Sequence, residues 1–195
     1  MRLLSFLKAF FKSNIQANAS TPVFWEDDYC QIEIVPFENR DFILAQSTKI
    51  NTVIEQSKIQ FGFTEIFGRE SMPANTVSKE IRIDYFENLL VESGFQKSRY
   101  IQYETSKMLD SNVSKTKAYT CSNFILFFDV EGEFINNIWL TFGLIVSVTQ
   151  YNCIETLLHS LGNECDMILI DWNSTMLIDL KEKNQINEYL MRSWK

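Results

Sequence analysis

This sequence has a single histidine, His159, and its four cysteines, at 30, 121, 153 and 165, are never spaced as C-x-x-C. A zinc site needs closely spaced Cys and His ligands, so no metal is expected, and isolated cysteines in apolar runs read as small buried hydrophobes in a reducing compartment. Glycine-rich phosphate loops, G-x-S-x-G elbows and H-E-x-x-H helices are all missing, and with them the common signatures of bound cofactors and of hydrolytic catalysis. No run approaches the ~20 apolar residues that a membrane span requires. Positive charge is scarce: 18 Lys and Arg stand against 25 Asp and Glu, a net charge of −7. That balance argues against nucleic acid as a partner, because affinity for phosphates comes largely from Lys and Arg, and it favours a basic partner instead. Six glycines and three prolines against sixteen phenylalanines exclude a disordered or low-complexity chain.

What is present is material for a core. The chain is 46% hydrophobic and 14% aromatic over 195 residues, which points to one α+β domain over 23–195 preceded by a helix and linker over 1–22. The organising stretch is Phe124 to Phe142. Two apolar runs are separated there by Gly132 and its neighbours, a β-hairpin signal because Gly accepts the positive φ such a turn needs. Phe124 to Phe128 is apolar without a break, so that strand must be covered on both faces and should be central. In the second run, Phe134, Ile138, Leu140 and Phe142 share one face, and Ile135, Asn137, Trp139 and Thr141 the other.

Around this hairpin the periodicities predict a strand over 29–35, with Cys30, Ile32 and Ile34 inward, and a helix over 38–57. Further strands are expected over 61–67 and 77–83, with a capping box of Asp84 and Glu87 opening a helix that Gly94 stops. A strand over 95–103 and a polar loop over 105–117 come next. Ser147 and Gln150 have capping-box spacing for a helix ending at Gly162. A second hairpin over 167–180 and a helix over 182–194 close the chain. The sum is α+β, a mainly antiparallel sheet built around the central hairpin with about four helices packed on it.

The candidates for chemistry are few. His159 reads as a surface residue in an i,i+4 pair with Glu155. Asp171 with Asp179 and Lys181 has the form of a metal-dependent nuclease site, two carboxylates to hold Mg²⁺ and a lysine to position water, although strand ends often carry such residues without that role. Glu26, Asp27 and Asp28 are either a solvated strand entrance or, with Trp25 and Trp172 as anchors, an acidic protein-binding patch. Over residues 1–14, Leu3, Leu4, Phe6, Leu7, Phe10 and Phe11 lie opposite Arg2, Lys8 and Lys12. That amphipathic pattern suits a helix docked on the body or a partner, a membrane-surface helix or a secretion signal.

Two stretches, FWEDDYCQIEIVP at 24–36 and DWNSTMLIDL at 171–180, resemble segments of bacterial immunity proteins that neutralise polymorphic or contact-dependent toxins. The resemblance implies a cytoplasmic, non-enzymatic protein without cofactors that binds a cognate, basic, nuclease-type toxin domain and blocks its active site. Trp25, Glu26, Asp27, Asp28, Asp171 and Trp172 are then the expected partner-binding residues. A Mg²⁺-dependent nuclease using Asp171, Asp179 and Lys181 is the alternative, and a peripheral membrane protein held through residues 1–14 a further one.

Overall fold

The apolar runs at 124–142 form the hairpin that their pattern predicts, and it lies at the middle of the molecule's main sheet. The structure, a computed structural model, describes residues 21–59, 62–63, 68–105 and 107–194, so the helix expected over 1–14 lies outside the described residues. The strands are β1 (Val23–Phe24), β2 (Ile32–Pro36), β3 (Lys58–Ile59), β4 (Gly62–Phe63), β5 (Gln96–Lys97), β6 (Tyr100–Tyr103), β7 (Lys107–Asp110), β8 (Thr116–Cys121), β9 (Phe124–Glu131), β10 (Phe134–Phe142), β11 (Met167–Asp171) and β12 (Met176–Asp179). Among the described residues there are four α-helices: α1 (Arg40–Ser57), α2 (Ile83–Glu92), α3 (Val148–Cys165) and α4 (Lys183–Met191).

The main sheet has seven strands in the order β12-β11-β2-β10-β9-β8-β5, every neighbouring pair antiparallel. Gly132 turns the central hairpin with φ +62, the positive value that a type II′ turn demands at its first central position. One face of the sheet carries Ile34, Leu126, Phe128, Leu140 and Leu169 against α2, α3 and α4, whose Phe86, Leu90, Ile154, Leu158 and Leu190 complete a continuous core. Each such side chain taken fully out of water contributes about 1.5–3 kcal/mol. The fold is therefore α+β, as the sequence predicts.

The opposite face has two covers. At the β2-β11-β12 end, α1 lays Phe42, Ile43 and Ile50 over Val35, Ile168, Ile170 and Trp172. At the β8-β9-β10 end, a small sheet in the order β1-β6-β7 lays Phe24, Ile101 and Leu109 over Ala118, Phe127 and Trp139. Phe127 stacks on the Trp139 indole with ring centres 5.4 Å apart, and Phe24 tilts against both.

Several local expectations are corrected, each for a physical reason. Alternation puts Ile135 with Trp139, but a bulge at Asn136 and Asn137, which face Asp129 alone on β9, turns Ile135 into the helix-side core beside Ile138. Cys30 is not on the Ile32–Ile34 face. The chain turns at φ +52 there, and β2 begins only at Ile32. The strand expected over 77–83 is a 3-10 turn at Thr76–Lys79. Asn75 caps it by accepting from the Ser78 N–H at 3.0 Å, and Arg82 alone bridges to Phe134. The Asp84–Glu87 box does not form, because α2 starts two residues earlier, with Arg82 and not Asp84 at the N-cap. The Asp84 carboxylate accepts from the Tyr85 N–H and from Arg82, and Glu87 pairs with Lys97.

The run 95–103 divides between sheets, β5 in the large one and β6 in the small one. The polar loop expected over 105–117 contains β7, an edge strand whose two apolar residues, Met108 and Leu109, are too few to show a period. Of the strand expected over 61–67, residues 62–63 pair with 58–59 and the others lie outside the described residues. Ser147 caps α3 by accepting from the Gln150 N–H at 3.1 Å, but the helix runs past Gly162 to Cys165. That glycine is there for the close passage of Leu180, not to end the helix.

Candidate functional site

The segment from Trp25 to Gln31 carries the chain from the small sheet to the large one. Trp25 is extended, with φ −101 and ψ 136, and Glu26–Asp28 then wind one 3-10 turn. The turn is fixed by backbone bonds from the Asp28 N–H to the Trp25 carbonyl (3.0 Å), the Tyr29 N–H to Glu26 (3.1 Å) and the Gln31 N–H to Asp28 (3.2 Å). The side-chain support is aromatic and polar. Tyr29 sits edge-on to Trp139 at 4.8 Å and against Phe24 at 6.0 Å, while Tyr103 donates its hydroxyl to Glu26 at 3.3 Å.

The bulge on β10 serves this segment. It brings the Asn137 amide to donate to the Tyr29 hydroxyl at 3.0 Å and to Asp129 at 3.3 Å, and Thr116 donates to the same Asp129 at 2.7 Å. Burial, with Cys30 and Asp129 adding to it, pushes Tyr29 well above the usual phenol range, so the hydroxyl stays protonated. The Trp139 indole nitrogen is buried beneath this network and no acceptor reaches it among the described residues.

Beyond Cys30 the chain meets the second expected stretch. The Trp172 N–H donates to the Gln31 carbonyl at 2.9 Å, and Asp171 pairs with Ile32 in the β11–β2 ladder. The two stretches singled out in the sequence therefore do meet, at the start of β2. Their side chains differ in what they offer a partner. Trp25 is 45% exposed, Glu26 and Asp27 are exposed, and Asp28 is half-buried. Trp172 is 8% exposed: it packs with Val35, Ile43, Ile168 and Ile170, and its indole N–H donates to Glu33 at 2.6 Å. It is an internal anchor of this chain and not an outward one. Asp171 is engaged by its own loop, accepting from the Asn173 N–H (3.0 Å), the Ser174 hydroxyl (2.9 Å) and the Tyr189 hydroxyl (3.3 Å).

Three neighbours were not found by sequence reasoning. Arg69 donates to the Cys30 carbonyl at 3.0 Å, lies 3.5 Å from Glu33 and covers the Trp172 ring at 4.9 Å. No pattern around position 69 marks it. Glu33, alternating with Ile32 and Ile34, was visible as the polar side of a strand, but not as a buried carboxyl. Burial raises its pKa, while Trp172 and Arg69 act the other way. Asn137 carried no signal, because its position depends on the bulge. Burial and the nearby Glu33 push the Cys30 thiol up to about 12, so it is no thiolate nucleophile near neutral pH.

The nuclease constellation is not assembled. Asp171 faces Met176 at one end of the β11–β12 hairpin, whereas Asp179 faces Ile168 three residues away, about 10 Å at strand spacing. The Asp179 carboxylate accepts from the Lys181 backbone N–H at 2.9 Å, and the Lys181 ammonium turns to Asp166 at 2.5 Å. Among the described residues no group of three His, Cys, Asp or Glu side chains is placed to hold a metal ion. His159 pairs with Asn163, 3.1 Å away, and Glu155 with Lys183 at 3.5 Å, so the expected His159–Glu155 pair does not form.

A second polar feature lies beneath α2 and α3. Lys79 bridges Glu38 (2.8 Å) and Asp166 (3.0 Å) beside a shallow cleft that Arg82, Tyr85 and Glu164 also line. Hydrogen bonds from Lys181 and Lys79 hold Asp166 below the usual carboxylate range.

Fold and site together describe an α+β protein that carries an acidic turn beside an exposed indole. No helix among the described residues is long and apolar enough to cross a membrane. No protein-family model, curated protein or solved structure matches the chain.

Proposed function

We propose that the protein is a binding module, an immunity protein that covers the active site of a basic, nuclease-type bacterial toxin domain. The observation that carries this reading is the Trp25–Asp28 turn. An indole 45% exposed and three consecutive carboxylates are held on a backbone pinned by Tyr29, Tyr103 and the β10 bulge. Exposed Trp is the side chain that most often anchors an interface, and a rigid presentation lowers the ordering cost of binding. The carboxylates and the net charge of −7 steer a basic surface towards the turn and take the place of phosphates on it. Such an inhibitor acts in the cytoplasm, where its target cleaves nucleic acid, and needs no cofactor.

The test is protection. Co-expression with a panel of basic nuclease-type toxin domains should rescue growth against one of them, and the two purified proteins should form a 1:1 complex in which toxin activity is lost. Mg²⁺-dependent cleavage of nucleic acid by the purified protein alone, abolished in Asp179→Ala and without any protection of cells, would overturn the assignment in favour of the nuclease.

A further inference from the structure

The small sheet is two-faced. Its inward side chains, Phe24, Ile101, Tyr103 and Leu109, cover Phe127 and Trp139 or line the edge of that contact. The register sets Val23, Gln102 and Met108 in one row across the three strands on the other side, with Tyr100 opposite Asp110 in the next row. Trp25 continues β1 in extended conformation and so returns to that outward side. Among the described residues Met108 is 52% exposed and Tyr100 39% on this face, Val23, Gln102 and Asp110 are half-buried, and Val113, in the turn after β7, is 87% exposed.

A solvated sheet face normally carries polar side chains outward. Here the outward positions hold Trp25, Tyr100, Met108 and Val23 beside the polar Gln102 and Asp110, and Trp, Tyr and Met are enriched at protein interfaces. Single exposed apolar residues are ordinary, but large apolar side chains gathered on one sheet face with a charged rim suit a docking surface. The rim is mainly acidic at one end. Glu26, Asp27, Asp28 and Glu104 gather at the Trp25 end, where the Glu104 N–H bonds the Phe24 carbonyl at 2.9 Å, and outnumber Lys107, which pairs with Tyr103 there. Arg99 stands at the other end, 5.1 Å over the Tyr100 ring.

We infer that the outer face of β1-β6-β7 is the partner-docking surface, and that its occupant is a protein domain with a basic surface. Trp25, Tyr100 and Met108 anchor the centre, and the acids at the Trp25 end receive the partner's Lys and Arg side chains. Charge complementarity selects this occupant over a nucleic acid or an anionic membrane, both of which the four carboxylates repel. The inference rests on the proposed binding function and specifies where on the molecule it acts.

The experiment uses the full-length protein and, as probe, a purified basic nuclease-type toxin domain against which co-expression of the protein protects cells. Met108→Asp and Tyr100→Ala should each weaken the complex roughly tenfold or more, as truncation of an interface anchor does, with the melting temperature unchanged. Val146→Asp, at a residue 64% exposed and outside the strip, should leave affinity within about twofold of the parent. As a readout independent of substitution, amide exchange in 100–110 should slow on complex formation. A complex that forms with unchanged affinity in the strip variants, or that protects only other segments, overturns the docking surface while the binding function stands. A probe that does not bind the unaltered protein at all overturns both.

Discussion

Trp172 donates its indole N–H to Glu33 at 2.6 Å, and Arg69 closes the pair from above with its guanidinium 4.9 Å over the indole ring. Glu33 stands on β2, between the strands that α1 covers and those under the small sheet, so its carboxyl marks the line where the two covers part. A charge at such a place must be satisfied from the side. Trp172 supplies a donor, while Arg69 supplies a charge at 3.5 Å, longer than a close ion pair. Burial outweighs these contributions, and the carboxyl's pKa lies above its ordinary value of 4.5.

A pH dependence follows. The folded state binds the Glu33 proton more readily than the unfolded chain, so the stability this group contributes is fully present below 4.5 and is lost as pH rises through the raised folded value. Glu33→Gln keeps an acceptor for Trp172 and removes the titration. Urea midpoints measured between about pH 4 and pH 8 should show the variant gaining on the parent as pH rises. A parent that gains on the variant over that range would mean that Arg69 and Trp172 outweigh burial.

Gly162 sets two effects against each other. In a helix interior Ala is preferred to Gly by about 1 kcal/mol. A Cβ at 162, however, would fall on the Leu180 carbonyl and lie 2.6 Å from the Lys181 nitrogen, and both are backbone atoms that cannot swing aside. Overpacking of this kind costs typically 1–3 kcal/mol, so Gly162→Ala should destabilise by up to about 2 kcal/mol net in chemical denaturation. A stabilised variant would mean that α3 and the β12–α4 connection separate more easily than their contact implies.

Phe127 is fully buried, stacked on Trp139 and touched by Phe24 from the small sheet. Phe127→Ala should cost about 3–5 kcal/mol, the range for truncating a buried aromatic. It should also loosen β1 and β6, seen as faster amide exchange there, because their inward side chains lose the ring they rest on. A loss below about 1 kcal/mol would show that the small sheet holds its place without this contact.

The large features were legible because they follow from period and length. The unbroken Phe124–Phe128 run could only be a covered strand, and the Gly132 turn needed no tertiary information. What was not legible was set by contacts distant in sequence. The bulge at Asn136 and Asn137 is invisible to a period-two reading, and it decides both the core position of Ile135 and the support of Tyr29. Residues 77–83 alternate like a strand, but Asn75 caps a 3-10 turn and Lys79 is drawn to Glu38 and Asp166. The stretch 107–110 reads as loop because an edge strand with one neighbour has little apolar demand on it.

Trp25 to Asp28 stood out by composition, and the fold leaves Trp25, Glu26 and Asp27 exposed and Asp28 half-buried. Trp172 stood out by the same reasoning, yet its exposure depends on Glu33, Arg69 and α1, none of them near it in sequence. An indole beside acids is thus outward or inward according to what lies across the sheet.

That distinction gives the functional prediction its form. Asp27, exposed, and Asp28, half-buried beside it, should act on encounter with a basic partner, because surface charges act at range and are screened beyond ~8 Å at physiological salt. Asp27→Lys with Asp28→Lys should lower the association rate for the toxin domain that the protein neutralises by about tenfold or more at low salt, with the gap to the parent closing as salt rises. Trp25→Ala should instead raise the dissociation rate, since an exposed indole becomes buried only in the complex. Trp172→Ala should affect the protein's own stability, by about 3 kcal/mol or more, because it leaves a cavity and removes a donor from buried Glu33. Stopped-flow mixing at several salt concentrations, with denaturation curves for each variant, separates the three effects. An association rate indifferent both to salt and to the charge reversal would show that the acidic turn plays no part in finding the partner.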